Sequence, residues 1–139
     1  MIKPLARSVL LALALALVAC GEEPVSEVSI EGLLQQAAAG DIAAFKAAFD
    51  EVKGKKIAWT GAVVESQRQF GDEFVEEGLL VVDVDPAGTP PVAEARFKIP
   101  PSRINDFKPG QTVKFTAIIR EFDLTGGPLM LTLEMKELN

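Results

Sequence analysis

Hydrophobic and polar positions follow three successive patterns along the chain. Residues 9–18 are an unbroken apolar run of Val, Leu and Ala behind a short basic segment, residues 1–7. From residue 29 to 53 apolar residues return every three or four positions, the spacing of one helix face. Ile30, Leu33, Leu34, Ala37 and Ala38 form one such face, and Ile42, Phe45, Phe49 and Val52 form a second. Gly40 ends the first helix, and Asp41 offers a carboxylate to the free N–H groups that start the next.

Past Gly54 the period changes to two, the alternation of a strand. Ile57, Trp59 and Val63 share one face of a first strand over residues 56–65, with Gly61 marking a bulge or bend. Residues 78–85 are apolar on both faces at their start, which predicts a central second strand. Ala93, Ala95, Phe97 and Ile99 alternate with Glu94, Arg96 and Lys98 in a third. Pro100-Pro101 leads into a helical turn over residues 102–107, with Ser102 as its expected cap. Val113, Phe115, Ala117 and Ile119 face inward from a fourth strand, and Leu129, Leu131, Leu133 and Met135 from a fifth. The loop of residues 67–74 carries two aromatic residues, Phe70 and Phe74, beside several acids.

The first apolar run is too short to remain as a membrane span, which needs about 20 residues. Its basic leader and small residues before a cysteine have the form of a secretion signal. Leu17-Val18-Ala19-Cys20 is similar to the lipobox of bacterial lipoproteins. That resemblance implies cleavage between Ala19 and Cys20, with a diacylglyceryl thioether on the Cys20 sulfur. Gly21 follows, where an Asp favours inner-membrane retention in some Gram-negative bacteria. The expected location is therefore the periplasmic side of the outer membrane, if the cell has one. The division expected is a signal at residues 1–19, a lipidated tether at 20–28, a helical segment at 29–53 and a barrel at 54–139.

The mainly β pattern, five strands with a helical turn between the third and fourth after an N-terminal α segment, predicts a five-stranded Greek-key barrel of the OB-fold kind. Residues 54–63, Gly-Lys-Lys-Ile-Ala-Trp-Thr-Gly-Ala-Val, and residues 107–113, Phe-Lys-Pro-Gly-Gln-Thr-Val, resemble the anticodon-binding-like OB domains of small exported bacterial proteins. The resemblance runs from about residue 41 to the end and implies the barrel, not an activity.

Charge and composition narrow the chemistry. The chain has no histidine, no tyrosine and one cysteine. That leaves neither an intrachain disulfide nor a histidine base to activate a serine. No enzyme activity, cofactor or metal is expected; a calcium site among Asp72, Glu73, Glu76, Glu77, Asp83 and Asp85 lacks any recognised loop spacing. Net charge is −6, and taking away Lys3 and Arg7, the only charges of residues 1–19, leaves −8. Lys53, Lys55 and Lys56 form the one basic cluster, and Glu94 dilutes Arg96 and Lys98 on their strand face. Nucleic acid is accordingly not expected as a partner. The expected function is a non-catalytic, membrane-anchored envelope module that binds a protein or small ligand, with Phe70 and Phe74 as candidate contacts. A structural or accessory lipoprotein without a small ligand is the alternative.

Overall fold

Ser29 and Asp41 each place a side-chain oxygen on a free backbone N–H, and each begins a helix. Ser29 accepts from Gly32 at 3.3 Å ahead of α1, Ile30–Ala38, and Asp41 accepts from Ala44 at 3.1 Å ahead of α2, Ile42–Val52. Gly40 joins them with φ +78°, a backbone region open to glycine without a Cβ clash. These elements belong to a computed structural model that describes residues 24–84, 93–126 and 128–139. Residues 1–19, expected to be a secretion signal, and Cys20 and Asp85 lie outside the described residues.

Five strands follow: β1, Lys56–Phe70; β2, Glu76–Asp83; β3, Ala95–Ile99; β4, Thr112–Asp123; and β5, Met130–Leu138. They close into one barrel in the order β1-β2-β3-β5-β4. All pairings are antiparallel except β3 with β5. This is the mainly β, five-stranded barrel with helices ahead of it that the alternation predicts. Val63, Phe97, Phe115 and Leu131 are all buried inside it, with Ile57, Leu80 and Ile119 among them. Phe97 and Phe115 meet across the interior with ring centroids 4.9 Å apart.

The two ends of the barrel are covered by different elements. At the end where β1 starts and β4 finishes, Phe45 and Phe49 of α2 both pack edge-on to Phe122, each with centroids 4.8 Å away. Ile42, expected on the same helix face, is instead 59% exposed, because it sits in the first turn beyond the rim of that contact. At the other end a 3₁₀ segment, Pro101–Asp106, lies against β2, and the Ile104 carbonyl accepts from Ser66 Oγ at 2.8 Å. Ser102 is inside this segment and makes no cap bond; Pro100, with its φ fixed near helical values, starts it.

Residues ahead of α1 are stitched onto β1. Ser26 N–H donates to the Lys56 carbonyl at 2.7 Å, and Trp59 Nε1 donates to the Val28 carbonyl at 3.0 Å. Trp59 is thus half-buried, packing against the core while its polar edge finds a partner.

Candidate functional site

β1 is longer than its apolar alternation. It continues through Phe70, so residues 67–70 are strand and not loop. The register with β2 shifts between Val63 and Glu65, and the bulge lies there, not at Gly61. Gly61 has another reason to be glycine: a Cβ there would meet the Asp83 carbonyl at 3.0 Å. Beyond the bulge β1 stays paired with β2, and past Gly78, where β3 stops pairing, the two strands run on alone as a short ribbon to Phe70↔Glu76. The turn at its tip holds Glu73 and Phe74 at φ 58° and 60°, a region in which side-chain-bearing residues are strained. Phe70 and Phe74 are 66% and 89% exposed, and Val75 beside them is exposed too. The structure therefore brings both sequence candidates to one ribbon tip, ringed by Asp72, Glu73 and Glu76.

A concavity lies elsewhere. β3 and β5 are paired only from Ala95↔Leu131 to Phe97↔Leu133. Near the place where this short parallel pairing ends, a groove of about 620 Å³ opens on the outer surface. Leu79 of β2, Arg96 and Lys98 of β3, and Thr132, Glu134 and Met135 of β5 line it, with Gln69 and Glu121 at its sides. Neither Phe70 nor Phe74 lines it.

Each cation here has a different partner. Arg96 Nε donates to the neutral Thr132 Oγ1 at 3.1 Å, and its charge also acts on the Asp123 carboxylate, which it helps the Thr125 hydrogen bonds to hold low. Lys98 donates to Glu77 Oε1 at 3.1 Å, while the other oxygen of Glu77 accepts from Gln69 at 3.2 Å. Glu134 Oε2 accepts from Arg120 at 2.8 Å and from Lys136 at 3.1 Å. The Arg120 guanidinium, and then the Lys136 ammonium, hold the Glu134 carboxyl below the usual carboxylate range. All of these pairs are at least partly in solvent, so they position charge more than they stabilise the fold.

Glu94 departs from the expected strand face. It precedes β3, is 3% exposed, and its Oε2 accepts the Val84 N–H at 2.6 Å. With its carboxylate turned in toward the end of β2, it does not dilute Arg96 and Lys98. Among the described residues, no group of three or more Asp, Glu, His or Cys is placed to hold a metal ion. No helix of the described residues is long and apolar enough to cross a membrane.

No family model matches the chain, and no curated protein does. Solved structures do. A provisionally named nucleic acid-binding lipoprotein from Klebsiella pneumoniae superposes with a TM-score of 0.56 at 13% identity, covering 81% of this chain and 92% of its own. The SSB domain of a Synechococcus protein aligns at 13% identity and TM-score 0.44, over 60% of this chain and 92% of that one. The second OB-fold domain of replication protein A from Methanococcus maripaludis aligns at 11% identity and TM-score 0.38, over 63% and 83%. The fold is the OB barrel.

These findings correct two sequence expectations, that nucleic acid is an unlikely partner and that the ligand is a protein or small molecule. The barrel is one that a protein named as a nucleic acid-binding lipoprotein also uses. The charge argument failed locally, because net charge does not report how charges are divided among faces. The outer face of β3 carries Arg96 and Lys98 with Glu94 withdrawn from it. The alternation along β3 does single out Arg96 and Lys98; what it missed is that Glu94, placed by the same alternation on their face, turns its carboxylate toward the end of β2.

Proposed function

We propose that this protein is a lipid-anchored envelope protein whose OB barrel binds single-stranded nucleic acid, without catalysis, in the groove between β2, β3 and β5. The observation that carries the reading is the groove itself. It places Arg96, hydrogen-bonded to the neutral Thr132, next to Lys98 on the β2–β3 side that OB barrels commonly use for oligonucleotides. Phosphates meet the guanidinium and ammonium, and the apolar flanks of Leu79 and Met135 receive sugar or base surface. Phe70 and Phe74, exposed at the ribbon tip, offer ring faces on which bases can stack. The name of the Klebsiella lipoprotein supports both halves of the proposal.

Anchorage rests on the lipobox, with Cys20 as the acylated residue, Ala19 as the last residue of the signal, and the outer membrane as the favoured site. Membership of the anticodon-binding-like exported OB domains is part of the same proposal, on residues 54–63 and 107–113.

Fluorescence anisotropy with a labelled oligothymidylate tests the binding, using the full chain in non-ionic detergent. Affinity should fall as salt rises, with a log–log slope of about −1.4 if two phosphates are neutralised. Arg96→Ala should weaken binding about tenfold. A salt-independent signal, or one indifferent to Arg96, would remove the groove from consideration. For the anchor, Cys20→Ser should abolish fatty-acid labelling; labelled protein from that variant would exclude the lipobox.

A further inference from the structure

Glu134 stands on β5 at the edge of the groove, between two cations. A single oxygen, Oε2, accepts from Arg120 Nη2 at 2.8 Å and from Lys136 Nζ at 3.1 Å. A guanidinium and an ammonium converging on one anionic oxygen is the arrangement that also receives a phosphate oxygen. Arg120 owes its place to a ladder irregularity. The register between β4 and β5 shifts between Ile119 and Glu121, leaving Arg120 as the unpaired extra residue on the outer surface.

The charges lining the groove balance. Arg96 and Lys98 contribute two positive charges, and Glu121 and Glu134 two negative ones. Arg120 and Lys136 lie just outside that lining, drawn onto Glu134. Both pairs are about half-exposed, so the carboxylate is held weakly and can be displaced. Its charge stays in the groove even when displaced, and repels an incoming polyanion within the screening distance of about 10 Å at moderate salt.

We infer that Glu134 is a built-in competitor for ligand phosphate: it occupies Arg120 and Lys136 and limits the affinity of the groove for single-stranded nucleic acid. This rests on the binding function proposed above. Neutralising Glu134 removes one repulsive charge and releases two donors at once. Glu121 has no comparable pair among the described ion pairs, so the effect belongs to Glu134 in particular.

The test compares Glu134→Gln with the native full chain in detergent, by anisotropy of a labelled oligothymidylate across a salt series. Glu51→Gln, the same charge change on the exposed side of α2, controls for net charge. Glu134→Gln should tighten binding about three- to tenfold at low salt and steepen the salt slope by about one unit. Glu51→Gln should change affinity less than about twofold. Adding Arg120→Ala to Glu134→Gln should return much of the gain, since it removes a released donor.

Equal effects of Glu134→Gln and Glu51→Gln would overturn the competitor role while leaving the groove reading intact. If neither the native chain nor Glu134→Gln binds at any salt, the binding function fails and the competitor role falls with it. Binding by Glu134→Gln alone would support both, with the carboxylate acting as a full block. Matched far-ultraviolet spectra and melting curves for the variants keep a folding defect from passing as a loss of affinity.

Discussion

The barrel is stoppered at both ends, by unlike means. At the end where β4 finishes, α2 sets Phe45 and Phe49 against Phe122, a seal made of aromatic area supplied from outside the barrel sequence. At the opposite end the 3₁₀ segment Pro101–Asp106 seals by close approach. A Cβ on Gly78 would sit 2.8 Å from the Ile99 carbonyl and 3.1 Å from Ile104 Cγ1. The first kind of seal is lost by removing volume, and the second by adding a single carbon. A barrel open at its ends exposes its core to water, so the two solutions answer one need with opposite sensitivities.

That contrast can be broken by exchange of side chains at each end. Phe45→Ala should cost about 3–5 kcal/mol, since Phe45 is 1% exposed and contacts two other rings. A urea melt that moves by less than about 1 kcal/mol would make the helices a decoration on an already sealed barrel. Gly78→Ala should cost about 1–3 kcal/mol by overpacking, although it adds apolar surface. A neutral result would show that Ile99 of β3 and Ile104 of the 3₁₀ segment yield, and that closeness is not what seals that end. Asp41→Ala sharpens the comparison further. It removes the α2 cap and should cost about 1 kcal/mol, all of it through the helical end. A full loss in global melts, and not mere fraying of α2, would show that the helices fold with the barrel.

The smallest effect concerns acidity. Asp123, at the finish of β4, accepts the Thr125 hydroxyl at 2.6 Å and its N–H at 2.8 Å. These bonds hold its carboxyl below the ordinary aspartate range. A folded-state value below the unfolded one stabilises at pH above the unfolded value, and that contribution fades as pH falls through the folded value. The Thr125 amide shift should therefore move only below the pH at which an ordinary aspartate titrates, and residues 101–106 should not follow it. Movement near pH 5 would contradict the lowered carboxyl.

How much of this could be read in advance follows from where each signal resides. Ser29, Gly40 and Asp41 act on neighbours in the chain, so the helix limits were legible. So were Phe97, Phe115 and Leu131, whose strands alternate cleanly against a buried interior. The far half of β1 was not, because Ser66, Gln67, Arg68 and Gln69 are polar on both faces where the ribbon leaves the barrel. Glu94 was misplaced for a related reason. Alternation assumes a straight strand, but β3 begins only at Ala95, and Glu94 turns back to bond the end of β2. The groove was least legible, since it depends on β3 and β5, distant in sequence, pairing for three residues and no further. Phe70 and Phe74 do stand exposed on the ribbon, but neither lines the groove.

The bonds from Ser26 to Lys56 and from Trp59 to Val28 set a leash length. If the chain is lipidated at Cys20, only five residues lie between it and Ser26, the first of the described residues bonded to the barrel, a reach of about 20 Å at full extension. The domain would then patrol a thin layer over the headgroups and could not sweep the depth of the compartment. Its ligands would have to arrive at the bilayer surface, and two such molecules would meet by sliding in a plane rather than by tumbling through a volume. Lengthening the segment before Ser26 would change how far the protein reaches without altering a single contact in the groove.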